Sequence, residues 1–328
     1  MRIGLNPNKN VTQSQNEYTH QVIIPVYIPN NEGYFKESFD TFQYSITSLL
    51  KTVHSKTFIT IIDNGCCETV RDYLNELFKS HKINEIVHTD NIGKVNAIIK
   101  GVVGHTFPLI TIADSDVLFK SDWQNATYDV LNAFPRAGVV GLTPTLNTCY
   151  YLTGNVIFRN LFSKNIKYAK ILNPEAMLNF YSSVGRAEDF NAVADKRNLI
   201  LTKGEITACI GSGHYVATYK GHLFDKIQKF STYKLGGDIE FQIDKLLLDK
   251  GYWRMTTHNN YAFHMGNAKE VWMEKELNAL SKSDIEKGFS FKERKDVSQL
   301  EYFLINKVFY RFIINKKVRK LFEKLKRE

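Results

Sequence analysis

With 328 residues, of which 43% are hydrophobic and 23% charged, the chain can bury a large core in one or two domains, and its composition excludes a disordered or fibrous protein. The net charge of +9 is concentrated at one end, since residues 301–328 hold nine Lys or Arg against three Glu, so a basic surface spread over the whole chain is excluded. Four cysteines without C-x-x-C spacing argue against a zinc site and for the reduced thiols of a cytosolic protein, and no run of about 18 apolar residues marks a membrane span.

Residues 1–20 are polar, lack the apolar stretch of a secretory signal, and read as a leader. Gln21 to Tyr27 reads as a first strand, stopped by a proline-marked loop, and apolar positions at helical spacing follow over 35–54. Phe58–Asp63 is a second strand ending in Asp63-Asn64-Gly65, with helical spacing again at 68–79. A short strand at 85–88, a helix at 93–103 and a strand at 108–113 complete an alternation that predicts an α/β fold, a doubly wound, mostly parallel sheet with flanking helices. The second half is less regular: a helix at 122–134, strands at 139–142 and 199–201, a turn-rich Gly211-Ser212-Gly213-His214, a helix at 238–249, and strand and loop from Trp253 to Met265. Residues 271–328 read as almost wholly helical, with one apolar stripe through Ile305, Val308, Phe309, Phe312, Val318, Leu321, Phe322 and Leu325. Its Lys and Arg residues make it a basic amphipathic extension suited to an anionic membrane surface, the alternative being a helix packed on the domain with a solvated basic face.

The chemistry centres on Leu109-Ile110-Thr111-Ile112-Ala113 running into Asp114-Ser115-Asp116. So apolar a strand is buried on both faces, and acids at its C-terminal end sit where open α/β sheets bind ligands. Two carboxylates there can hold a divalent cation, and the cation a diphosphate. The bland alternative is a helix cap or a solvated turn.

Taken in chain order, Ile24-Pro25-Val26-Tyr27, Asp63-Asn64-Gly65, Asn91-Ile92-Gly93-Lys94, Asp114-Ser115-Asp116, Gly211-Ser212-Gly213, Gly237-Asp238-Ile239-Glu240 and His264-Met265-Gly266 resemble the motifs of inverting family 2 glycosyltransferases of the GT-A fold. The resemblance spans residues 20–267 and implies a glycosyltransferase domain at 21–270. Residues 21–120 would form its nucleotide-sugar half and 121–270 its acceptor half, with 271–328 as an extension. It implies a hexosyltransferase-type enzyme that moves a sugar from a nucleotide-diphosphate donor, UDP by family habit, to a glycan or lipid-linked hydroxyl. Asp114, Ser115 and Asp116 would hold the donor, and Asp116 with His264 would ligate Mn²⁺ or Mg²⁺, both of which take oxygen ligands. Pro25 and Tyr27 would line the base pocket, Asp63 would face the base or ribose, and Lys94 would contact base or phosphate. Gly213 and Glu240 fall on the acceptor side.

Asp238 matches the second acid of the family's Glu-Asp pair, Gly237 replacing the first. It would take the acceptor hydroxyl proton, and a helix N-terminus favours its ionised form. Glu188-Asp189 is a literal Glu-Asp pair and makes Asp189 the rival base. Two other readings are a nucleotidyltransferase of related fold, disfavoured because the loop Ile28–Gly33 carries no basic residue, and a non-enzymatic membrane or nucleic-acid module. The absence of interleaved basic and aromatic motifs speaks against nucleic acid. These expectations describe a cytoplasmic enzyme, peripheral on the inner face of the cell membrane.

Overall fold

The structure, a computed structural model, describes residues 4, 6–7, 9, 17–225, 232–235, 239–281, 288–290 and 297–327, with the side chains of 239, 240 and 242 excepted. Four strands open the chain: β1 (His20–Val26), β2 (Thr57–Asn64), β3 (Glu85–Thr89) and β4 (Leu109–Ala113). They alternate with α1 (Ser38–Thr52), α2 (Glu68–Lys79) and α3 (Lys94–Val102) and pair in parallel in the order β3–β2–β1–β4. Alternation along β1 sends Val22, Ile24 and Val26 to one face, against Phe42, Ile46 and Leu49 of α1, and Ile23 to the other, against Ala97 and Ile98 of α3. Both faces are covered, as the unbroken apolar runs require. Pro25 is tolerated in this central strand because the β1–β4 ladder ends at Ile23, before its missing N–H would matter on that side.

The second half supplies β5 (Val117–Phe119), α4 (Trp123–Ala133), β6 (Ala137–Gly141), α5 (Gly154–Asn160), β7 (Ile166–Lys170), α6 (Pro174–Ser183), α7 (Ala187–Asn191), β8 (Arg197–Lys203), β9 (Ile206–Ile210) and β10 (Val216–Lys220). Then come α8 (Ile239–Asp249), β11 (Trp253–Thr257) and β12 (Ala262–His264). The sheet continues past β4 as β10–β6–β11–β9–β8–β7, and β10 runs antiparallel to both of its neighbours. The result is a mixed, largely parallel central sheet with flanking helices, whose far end, beyond β11, is antiparallel. A separate two-stranded sheet pairs β5 with β12.

The C-terminal helices are α9 (Val271–Ala279), α10 (Gln299–Phe303), α11 (Tyr310–Ile313) and α12 (Lys316–Leu325), with a π-helical turn over Leu304–Phe309 between α10 and α11. The single apolar stripe expected there is split. Ile305, Ile313 and Phe322 are buried, whereas Val308, Phe312, Leu321 and Leu325 are exposed. A π-turn holds more residues per turn than an α-helix and rotates the later positions off a 3.6-residue stripe. The extension is packed on the domain: Met273 joins the core around Leu118 and Phe263, and Phe322 meets the ring of Tyr168 edge-on. Among the described residues no helix is long and apolar enough to cross a membrane.

One buried ion pair ties α8 to this frame. Asp244 on α8 and Arg254 on β11 are each 1% exposed, with Nε 3.0 Å from Oδ1. Arg254 also donates to the carbonyls of Tyr151 and Ser212 at 2.7 Å, and His214 Nε2 lies 3.1 Å from the other Asp244 oxygen. Removing one partner of such a pair strands the other charge in the core, so Asp244→Asn should cost about 3–5 kcal/mol, read as a lowered midpoint in chemical denaturation.

Candidate metal and nucleotide site

The chain order of the sheet reverses between β1 and β4, and the carboxyl ends of these strands face a common crevice, the usual ligand position in such sheets. Asp114 follows β4 directly, and its amide donates to the Tyr215 carbonyl at 2.8 Å, because β10 begins opposite Ala113. Asp116 precedes β5, and β5 pairs with β12 so that Val117 lies opposite His264. Its carbonyl accepts from the Met265 amide at 2.8 Å. This pairing brings a histidine from far along the chain to the two acids. Ligand atoms of Asp114, Asp116 and His264 all lie within 4.8 Å of one another.

The three side chains are half-buried. His264 Nε2 lies 3.4 Å from Asp116 Oδ2, and its Nδ1 is 3.0 Å from the Ser183 hydroxyl of α6. Tyr215 and Phe180 meet the imidazole edge-on, which fixes the ring plane. Burial pushes the Asp116 carboxyl above its ordinary value; His264 pulls it down, and neighbouring Asp114 pushes it further up. Lys94, the first residue of α3, lies 2.5 Å from Asp114 Oδ1, a buried atom with no other hydrogen-bond partner among the described residues. Two carboxylate oxygens and an imidazole nitrogen suit a cation that accepts both, such as Mn²⁺. Ser115 lies in the turn between the two acids.

Asp63 departs from expectation. Its side chain is fully buried, and the chain itself uses both oxygens. Oδ1 accepts the amides of Gly65 and Cys66, while Oδ2 is 2.7 Å from His88 Nδ1 and 3.2 Å from Arg71 Nε. Arg71 and His88 in turn line a cavity of about 590 Å³ with Asn75, Thr89 and Asp90. The register of β3 on β2 puts His88 beside Asp63, a relation that no local motif announces. Burial opposes the Asp63 charge, but the His88 hydrogen bond, the Cys66 amide and Arg71 together hold its carboxyl below the ordinary value. Pro25 is buried at the end of β1, and Tyr27 stands half-exposed beside it, edge-on to Phe35.

Segment 232–235 crosses the other side of the site, which the sequence does not suggest. The Lys94 amide donates to the Lys234 carbonyl at 2.9 Å. A side chain at Gly93 would put its Cβ 2.6 Å from the Tyr233 carbonyl, and Gly93 has φ 88° and ψ 151°, a region open essentially to glycine. Gly213 faces open space. Asp238 and the side chain of Glu240 lie outside the described residues. Asp189 is exposed, and its carboxylate is 2.6 Å from Arg186 Nε.

The model of Glycosyl transferase family 2 matches residues 21–193, more than half of the chain. Among solved structures, the chain is similar to S. aureus TarS 1–349, at 10% identity, 92% of this chain, 77% of that one and TM-score 0.43. It is similar to a mannosyltransferase from Pyrobaculum calidifontis in complex with GDP-Man and Mn²⁺, at 15% identity, 72% of this chain, 54% of that one and TM-score 0.42. A third is GalNAc-T7 with UDP, GalNAc and Mn²⁺, at 12% identity, 76% of this chain, 44% of that one and TM-score 0.47. No curated protein matches the sequence.

Gly93→Ala should cost about 1–3 kcal/mol through backbone strain and displace segment 232–235, seen as a lower melting temperature and weaker nucleotide binding. Asp63 should contribute stability in full above the unfolded carboxyl value of about 3.9, a contribution lost as pH falls through its depressed folded value. The stability gap between the protein and Asp63→Asn should therefore be widest near neutral pH and narrow on acidification below about pH 4, as denaturation at a series of pH values would show.

Proposed function

The chain belongs to glycosyl transferase family 2, and on that premise we propose that it is a metal-dependent, inverting glycosyltransferase that takes its sugar from a nucleoside diphosphate, UDP by family resemblance. The observation that carries this reading is the meeting of Asp114, Asp116 and His264 at the crevice, with Lys94 on Asp114. Asp116 and His264 would hold the cation, with Ser183 keeping the imidazole in the tautomer that leaves Nε2 free. Bound there, Mn²⁺ or Mg²⁺ would offset the negative charge that gathers on the departing diphosphate. Lys94 can turn from Asp114 to a phosphate oxygen without leaving the crevice. Pro25 and Tyr27 wall the base side, and Asp63 acts from beneath by holding His88, Arg71 and the Gly65–Cys66 turn.

Asp238 remains the proposed base. In the chain it stands between segment 232–235, which touches Gly93 and Lys94, and Ile239, the first residue of α8. Inversion in one displacement requires it to accept the acceptor hydroxyl proton as that oxygen attacks the anomeric carbon. Asp189 is the weaker candidate, since it is spent on Arg186. The acceptor is a glycan or lipid-linked hydroxyl. Exposed Phe303, Phe312, Leu321 and Leu325, set among lysines and arginines, support seating the C-terminal helices on an anionic membrane surface.

A thermal-shift panel of nucleoside diphosphates, with and without Mn²⁺, tests the donor half. One diphosphate should raise the melting temperature in a metal-dependent way, and Asp116→Asn should abolish the metal dependence. Asp238→Asn should lower turnover by about 10²–10⁴-fold while leaving that shift intact. If Asp189→Asn is the inactive variant and Asp238→Asn turns over normally, the base is misassigned. Release of pyrophosphate in place of nucleoside diphosphate would mark a nucleotidyltransferase.

A further inference from the structure

A second cavity, of about 680 Å³, opens away from the crevice, between α12, β7, the start of β8 and the Asn147–Tyr150 segment. Its floor is half-buried Tyr150 and buried Tyr168, whose hydroxyls are hydrogen-bonded to each other, and the Tyr150 hydroxyl donates to Glu323. Five cations line it, Arg197, Arg319, Lys320, Lys324 and Arg327, against two acids, Asp195 and Glu323. Asp195 is shared between Arg197 and Arg327. Arg319 Cζ sits 3.8 Å from the centre of the Tyr150 ring, and Arg319 donates from Nε to Glu323 and from one terminal nitrogen to Asn147, leaving other N–H groups of its fork uncommitted among the described residues. Lys320 and Lys324 are exposed and have no acid partner among the described residues.

We propose that this cavity binds a phosphate ester. The positive charge exceeds what the two acids neutralise. Rigid guanidinium forks on the walls suit the oxygens of a phosphate, and two lysines at the mouth add point charges. The volume also accommodates the polyol or glycerol part of an ester. The cavity backs the acceptor side of the crevice through one segment. Thr148 is packed so tightly on Gly211 that a Cβ there would lie 2.4 Å from its carbonyl oxygen, and the Tyr151 carbonyl accepts from Arg254. A phosphate held here can belong to a soluble phosphorylated acceptor or to a lipid headgroup beneath the C-terminal helices.

The test uses the full chain without donor, so it stands apart from the glycosyl-transfer reading. Titration calorimetry with sn-glycerol 3-phosphate and co-sedimentation with phosphatidylcholine vesicles, with and without phosphatidylglycerol, separate the two sources. The double variant Lys320→Gln/Lys324→Gln is compared with Lys316→Gln/Lys317→Gln, a charge-matched control on the same helix but outside the cavity. Saturable binding of glycerol phosphate, weakened about tenfold only in the cavity variant, assigns a soluble ester. The same selective loss confined to phosphatidylglycerol vesicles assigns a lipid headgroup. Absence of binding to both probes, or equal weakening in the two variants, overturns the proposal. The nucleoside diphosphate shift should be the same in both variants as in the parent, and its loss in the parent would count against the donor site alone.

Discussion

Two carboxylates set side by side at the end of a buried strand need positive charge brought to them, and the arrangement around β4 meets that need. Asp114 and Asp116 repel each other, and burial raises the cost of ionising Asp116. Lys94 answers Asp114 from the start of α3, and His264 answers Asp116 from β12. Both answers depend on distant parts of the chain. Packing of α3 on β1 and β2 places Lys94, and pairing of β12 with β5 places His264. A cation would satisfy the remaining deficit, which is why the same geometry could hold a metal ion.

The crevice is closed by backbone approaching backbone, and this limits what the glycines can become. Gly65 lets the Asn91 backbone come within 2.9 Å of where its Cβ would stand, Gly93 does the same for Tyr233, and Gly211 for Thr148. Gly65 joins the loops after β2 and β3, Gly93 joins the start of α3 to segment 232–235, and Gly211 joins the loop after β9 to the segment before α5. The buried Asp244–Arg254 pair does the corresponding work for α8, since Arg254 also holds the loop at Ser212. Loops around the crevice thus lean on one another through close backbone contacts and one buried ion pair.

The first half of the fold was legible because its strands are unbroken apolar runs and its helices repeat at 3.6 residues, patterns that burial on two faces imposes directly. The strands β5, β7, β9 and β10 were not legible. They are short or carry polar residues, as in Val216-Ala217-Thr218-Tyr219-Lys220, where Lys220 is fully buried because its ammonium reaches the Pro135 carbonyl at 2.8 Å. A buried lysine in a central strand contradicts local pattern and is resolved only by the partner across the sheet. The C-terminal stripe departs from its period for a related reason, since a π-turn over Leu304–Phe309 and a break in the helix at Asn315 interrupt it.

At the site, the chain's own order of residues determined the chemical types: acids after a buried strand, a lysine at a helix start, and a histidine at the end of the last strand. These follow from local rules, because a strand's polarity pattern and a helix's first turn are properties of adjacent residues. The tertiary structure alone decided which of them meet. It joined His264 to Asp116, turned Asp63 inward onto Arg71 and His88, and gathered Arg197, Arg319 and Arg327 around one cavity. Charges many residues apart interact only once sheet register and helix packing have brought them within a few ångströms, and that distance is not written in the spacing of the sequence.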